Sequence, residues 1–169
     1  VVTHPFNMGQ GASLQTGFDF ALSDPLMSEV VTFDADGQHQ VEDAVGMVDK
    51  LRREKLDIVI GSRFLDLRTD VKGVKRLVLR AAAFYTRMTT GMALTDAHNG
   101  LRVIQRDTLE KISLSQNRMA HASELIDQVS NLKAAWAEFP THIMYTEYSR
   151  AKGQSLWNAI NILVEIMFR

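Results

Sequence analysis

Two β-type runs with a helical stretch between them constrain this chain more than any other feature. Glu29 to Phe33 (Glu-Val-Val-Thr-Phe) and Asp57 to Gly61 (Asp-Ile-Val-Ile-Gly) are short, rich in β-branched residues and nearly continuous in hydrophobicity. That composition suits strands in a sheet covered on both faces. Between them, Val41 to Glu54 places Val41, Val45, Val48 and Leu51 at helical spacing with charges between, which predicts a helix with one apolar face. Strand, helix and strand with short joins form a βαβ unit, whose crossover is expected to be right-handed. The predicted fold class is α/β. Both runs end in polar groups, the first in Asp34-Ala35-Asp36-Gly37-Gln38-His39 and the second in Gly61-Ser62-Arg63. Open α/β sheets place their ligands at the carboxyl ends of strands.

The remaining chain is read in the same terms. A turn at Asn7 to Gly11 precedes a helix over about Ala12 to Leu22, in which Gly17 is expected to permit close packing. Phe64 to Gly73 is a polar loop, Val74 to Thr90 a helix, Thr95 to Gly100 a turn and Leu101 to Ile104 a short strand. Asp107 to Ile112 is a short helix with Asp107 as its N-cap, and Ala122 to Leu132 another helix. Ala135 to Phe139 and Ile143 to Tyr148 read as strands separated by Pro140, followed by a polar loop to Ser155 and an apolar helix from Leu156 to Arg169. The 169 residues suffice for one domain, the net charge of −1 gives no basic excess for nucleic acid, and the lack of cysteine excludes disulfides and thiolate metal sites. A cysteine-free chain fits a cytoplasmic setting. No stretch of about 18 or more apolar residues is present.

Asp34 and Asp36 carry the chemistry. Two carboxylates at the end of an apolar strand repel each other and lose hydration, and a divalent cation is the usual compensation. In an extended strand end, residues i and i+2 point the same way, Gln38 continues the parity and Gly37 lets the backbone turn. An all-oxygen set favours Mg²⁺ or Mn²⁺ over Zn²⁺. The alternative is an acidic turn without a ligand. Arg63 is either a phosphate contact or a surface arginine. Arg68, Lys72, Lys75, Arg76 and Arg80 form either a phosphate-facing basic group or a solvated helix face.

The segments Asn7-x-Gly-x-Gly, Val-Thr-Phe-Asp-Ala-Asp-Gly-Gln-His, Asp-Ile-Val-Ile-Gly-Ser-Arg-Phe, Thr95-Asp96-Ala97-His98-Asn99-Gly100-Leu101-Arg102 and Arg150-Ala151-Lys152-Gly153-Gln154-Ser155 closely resemble, in order and spacing, family-2 glycosyltransferases of the GT-A fold. The branch resembled is the polyprenyl-phosphate (dolichol-phosphate) mannosyl- and glucosyltransferases. The resemblance implies a GT-A, Rossmann-like mixed sheet flanked by helices over residues 1–155, with 156–169 as a packing, partner or membrane-surface helix. It implies a donor side at Asn7, Gly9, Gly11, Asp34, Ala35, Asp36, Arg63 and Arg150, and Mg²⁺ or Mn²⁺ on Asp34, Asp36 and Gln38. It places Arg63, Arg76 and Arg102 near an acceptor phosphate, Asp96 near the sugar or acceptor, and Glu124 where many members hold a catalytic carboxylate. Asp96 has the alternative of capping a turn, with Arg102 paired to a carboxylate, and Glu124 that of a helix N-terminal acid. The implied substrates are a nucleoside-diphosphate sugar and a lipid phosphate, at the cytoplasmic face of a membrane. Ala97 stands where proline is common, and Leu156 where lysine is frequent.

Family members begin with a strand, a Pro-x-Tyr-Asn-Glu turn, a helix and a strand ending in Asp-Asp-Gly-Ser, and none of these is in the sequence. The expectation is a chain that begins inside a larger fold, or a truncated one that completes its sheet as an oligomer, with weak binding of nucleotide sugars. Two rival readings accompany this one. One is a non-catalytic transferase domain serving as a partner subunit. The other is a haloacid-dehalogenase-type phosphatase, which would use Asp34 as a nucleophile but wants a downstream acidic pair that is missing.

Overall fold

The computed structural model describes residues 1–66, 73–116 and 120–144. In chain order it forms α1 (Gln10–Leu22), β1 (Glu29–Thr32), α2 (Val41–Glu54), β2 (Ile58–Ser62), α3 (Gly73–Thr90), β3 (Arg102–Gln105), α4 (Arg106–Leu109), α5 (Ala120–Asn131) and β4 (Trp136–Pro140). The apolar segment 156–169 and the motif containing Arg150 lie outside the described residues, as do Arg68 and Lys72.

The four strands form one mixed sheet in the order β1-β3-β2-β4. β3 runs antiparallel to both β1 and β2, while β2 and β4 are parallel. The βαβ unit is therefore present with β1 and β2 parallel, but β3 lies between them. Alternation along the strands builds two cores. Ile58, Ile60 and Ile104 face Phe18, Leu125, Ile126 and Val129 of α1 and α5. Val59 and Val103 face Ala44, Met47 and Leu51 of α2. Helix α2 ends at Lys55 in the left-handed region (φ 52°, ψ 49°), and the Leu56 N–H closes the turn onto the Leu51 carbonyl at 2.9 Å.

Four expectations are corrected. β1 was expected to be covered on both faces; among the described residues it is an edge strand paired only with β3, and Val31 and Phe33 are exposed while Thr32 is buried. Asp107 does not cap α4. β3 runs straight into the helix, which starts at Arg106 after an extended Gln105 that makes no side-chain cap. Arg106 instead clamps the end of α1, donating to the carbonyls of Leu22 (3.1 Å), Asp24 (2.7 Å) and Met27 (3.2 Å). Of the strand expected over Ile143 to Tyr148, residues 145–148 lie outside the described residues, and Thr141 to Met144 form no strand. Their amides go to other elements: Thr141 to the Ser62 carbonyl, His142 to the Asp43 carboxylate and Met144 to the Gln38 carbonyl.

The fourth correction concerns glycine. Gly17 is exposed and a Cβ there would meet nothing within 4 Å. The close approach is at Gly11, where a Cβ would lie 1.9 Å from the Gln116 carbonyl oxygen and 3.1 Å from the His121 Cβ. Gly11→Ala is expected to destabilise the domain by on the order of 3 kcal/mol, because backbone must move to admit the methyl group. Gly17→Ala is expected to stabilise it by roughly 0.5 to 1 kcal/mol through helix propensity. Urea denaturation of the two variants checks both.

Candidate active site

The site is built where β1 and β2 end and β3 begins. The Thr32 hydroxyl donates to the Gly100 carbonyl at 2.6 Å, which ties the end of β1 to the turn before β3. Asp34 then packs its carboxylate directly onto Gly100, where a Cβ would overlap it at 2.2 Å. Asp34 Oδ1 accepts from Gln10 Nε2 (3.3 Å), and Oδ2 lies 3.5 Å from His39 Nε2. The hydrogen bond from His39 holds the Asp34 carboxyl below its ordinary range and outweighs the cost of burial; the positive charges of Arg102 and His121 add to the effect. The His39 ring is itself enclosed, with its edge against Phe33 at a centroid distance of 5.7 Å.

Asp36 occupies a different position. The ladder stops at Thr32, so the strand parity that would point both aspartates the same way does not reach it. Asp36 is exposed, its Oδ1 accepts the Gln38 N–H at 3.1 Å, and Gly37 at φ +74° completes the turn. Gln38 is half-buried, with its carbonyl taken by Met144. Among the described residues, no three His, Asp or Glu side chains converge as a metal group. Mg²⁺ is commonly held by one or two carboxylates together with substrate phosphates rather than by an all-protein cage. An ionised Asp34, a solvent-facing Asp36 and the Gln38 amide fit that mode of binding.

Beside this turn lies a network around Asp96, which is 1% exposed. Asp96 Oδ2 accepts the Arg63 backbone N–H (3.1 Å), Arg63 Nε (2.5 Å) and Asn99 Nδ2 (3.4 Å). Arg63 Nη2 also reaches the His98 carbonyl at 3.4 Å. Glu138 of β4 receives the Thr95 and Asp96 amides at 2.8 and 3.1 Å. Burial pushes the Glu138 carboxyl up, against those hydrogen bonds. Arg102 of β3 is 1% exposed and interacts electrostatically with both Asp34 and Asp96. Burial pushes its guanidinium down to about 10, so it stays charged at neutral pH. Among the described residues, its Nε, Asp96 Oδ1 and His39 Nδ1 are buried without a hydrogen-bond partner.

These positions redistribute the expected roles. A group that touches substrate needs an accessible atom. Arg102 and Asp96 have essentially none here, so Arg102 lies beneath the site and Asp96 orients Arg63. Glu124 of α5 accepts from the Ser115 amide (3.0 Å), the Ser115 hydroxyl (2.6 Å) and the Gln116 amide (2.8 Å), which commits its carboxylate to holding that loop. The Asn7 side chain accepts the Gly9 N–H at 2.9 Å, and Gly9 at φ 89° starts α1. That turn supplies Gln10 to Asp34, a contact no motif signalled. Ala35 is exposed in the aspartate turn.

Arg76 and Arg80 line an open groove of about 420 Å³ with Phe64, Phe84, Arg87 and Thr95. Arg87 was not singled out in the sequence, although it follows Arg80 by two helical turns. The sequence of α3 holds four basic residues and no acid. At 100° per residue, Leu77, Phe84 and Met88 form a stripe, 71%, 66% and 71% exposed, and Arg76, Arg80 and Arg87 follow its edge on the groove side.

Comparison with known proteins gives a consistent result. Residues 1–113 match the family model for glycosyl transferase family 2. An uncharacterised protein of Methanocaldococcus jannaschii is 33% identical over 175 residues, covering all of this chain and 71% of that protein. A UDP-N-acetylglucosamine–dolichyl-phosphate N-acetylglucosaminyltransferase of Methanococcus voltae is 28% identical, with 98% of this chain and 67% of that protein covered. A polyprenol monophosphomannose synthase of Mycolicibacterium smegmatis is 37% identical over 63% of this chain and 40% of its own length.

The buried network has a pH signature. Burial is the main cause that lowers His98 from its ordinary 6.5 to about 4, with the Arg102 charge adding to it. Between those values the unfolded chain binds a proton that the folded chain refuses, so stability falls as pH drops through this window. The expected loss is on the order of 3 kcal/mol. Glu138, raised above 4.5, acts in the opposite sense. The His98 contribution is therefore read by difference: denaturant unfolding from pH 7 to 4 should show a flatter dependence in His98→Gln.

Proposed function

The chain belongs to glycosyl transferase family 2, and from that premise we propose that it moves a hexose from a nucleoside-diphosphate sugar to a polyprenyl phosphate, or a related lipid phosphate, at the cytoplasmic face of a membrane. The observation that carries the acceptor assignment is the arginine-edged groove of α3, which runs from Phe64 and Thr95 to an exposed apolar stripe. A phosphate head on a hydrocarbon chain matches that order of charge and apolar surface. The names of the relatives from Methanococcus voltae and Mycolicibacterium smegmatis, which state a dolichyl phosphate and a polyprenol, support the same class.

In this reading the aspartate turn faces the donor diphosphate. Asp34, Asp36 and Gln38 would hold Mg²⁺ or Mn²⁺, which neutralises charge on the departing nucleoside diphosphate. Arg63, held at its Nε by Asp96, immediately precedes Phe64 of the acceptor groove. The acceptor phosphate oxygen attacks the anomeric carbon as the diphosphate leaves from the opposite face, inverting the centre. A phosphate is already ionised near neutral pH and needs no general base. This agrees with the commitment of Asp96 and Glu124 to hydrogen bonds inside the protein.

Two measurements test this. Asp36→Asn should lower metal-dependent transfer to a polyprenyl phosphate by about a hundredfold without changing thermal stability; unchanged turnover would remove the aspartate turn from the reaction. Replacing Arg76, Arg80 and Arg87 together by Ser should weaken sedimentation with anionic vesicles by about a hundredfold, at about 1 kcal/mol per arginine. Equal binding by the triple variant, or binding insensitive to salt, would rule out α3 as the membrane-facing element.

A further inference from the structure

The segment after β4 is a strap across the carboxyl end of the sheet. Thr141 and Ile143 are buried, and four elements hold the strap. The Thr141 N–H donates to the Ser62 carbonyl at 3.0 Å, and its hydroxyl accepts from Asn99 Nδ2 at 3.0 Å. The His142 N–H donates to Asp43 Oδ2 of α2 at 2.7 Å. The Met144 N–H donates to the Gln38 carbonyl at 3.0 Å, inside the aspartate turn. The remaining tie is between side chains: His142 Nδ1 lies 2.9 Å from Asp66 Oδ2. Asp66 is 8% exposed and stands three residues after Arg63. A carboxylate only accepts, so the hydrogen lies on Nδ1.

We propose that Asp66 and His142 form a latch that sets the position of the Arg63 loop relative to the aspartate turn. The strap is fixed to that turn through Met144 and to α2 through Asp43. Asp66 is the point where the chain leaving β2 is tied to the same strap. Through this link a shift at Gln38 is transmitted to residues 63–66, and the reverse. The latch acts through Arg63, so both partners are positioning residues. Neither residue falls in the motifs read from the sequence, and the pair joins segments 76 positions apart.

The test uses the intact chain and two readouts. Asparagine places a donor near the Nδ1 position, whereas glutamine places it near Nε2. In amide hydrogen exchange, His142→Ala, His142→Gln and Asp66→Ala should each speed exchange both at residues 63–66 and at Met144, while His142→Asn stays close to the parent. Faster exchange confined to 141–144, or equal effects of Asn and Ala at this position, overturns the latch. The kinetic arm rests on the proposed transfer reaction: His142→Ala should raise KM for the lipid phosphate about tenfold and leave the donor KM within about twofold. A fall in kcat with both KM values unchanged marks a purely structural tie and overturns the positioning role. If the parent chain transfers no sugar, the transferase reading fails, and the exchange pattern alone decides the latch.

Discussion

A fully buried guanidinium is the constraint on which the rest of the site depends. Arg102 lies on β3, one of the two inner strands of the sheet, between the neighbours Thr32 and Ile60. Removing such a charge from water costs several kcal/mol unless opposite charge stands close. Asp34 and Asp96 supply that charge, one from the end of β1 and one from the turn before β3. In return the Arg102 charge, after the hydrogen bond from His39, helps to lower the Asp34 carboxyl below its ordinary range. The outer groups inherit their positions from the two carboxylates: Asp34 anchors the turn that carries Asp36, and Asp96 anchors Arg63. The aspartate turn is exposed at Asp36, but the buried Arg102 charge lies one layer down.

Local features of the fold were legible in the sequence. The bounds of α2 were legible, although its buried face runs through Ala44, Met47 and Leu51 and leaves Val41 and Val45 of the expected apolar face exposed; β2 follows from an unbroken β-branched run. The aspartate turn was visible as chemistry because an apolar strand fed it. What escaped was non-local. β3 is only four residues long, and nothing in Arg-Val-Ile-Gln says that it enters between two parallel strands. Arg102 was expected at an acceptor phosphate, with pairing to a carboxylate as the alternative; it lies buried, interacting electrostatically with Asp34 and Asp96. Gly11, read as part of a turn, and Gly17 both lie in α1, and the Gln116 carbonyl, far along the chain, marks Gly11 as the close approach. Asp107 satisfied a local capping rule, but Arg106 carries the stronger interactions because three carbonyls of another segment converge on it.

The same distinction separates the two kinds of candidate site residue. Residues named by motif fall into outward-facing groups, such as Asp36 and Arg76, and inward-facing ones, such as Asp96, Glu124 and Arg102. A motif records that a residue type is needed at a place, not which way the side chain turns. Burial sets apart Asp96 and Arg102, while the half-buried Glu124 is set apart by its hydrogen bonds to the 115–116 loop. The inward group holds loops and charges in register, and the outward group faces solvent. Glu138 and Gln10 belong functionally with the inward group but are named by no motif, because each acts by hydrogen bonding to backbone or to another site residue.

The reversed strand also acts as a spacer. With β3 between β1 and β2, the strand ends that carry Asp34 and Arg63 stand two inter-strand spacings apart, about 10 Å. Direct pairing of β1 with β2 would halve that gap. The turn from Asp96 to Gly100 fills this interval, meeting Arg63 on one side and Asp34 on the other, while a single spacing would bring the two charged ends together. The antiparallel insertion thus works as a gauge that sets the distance between the two charged strand ends.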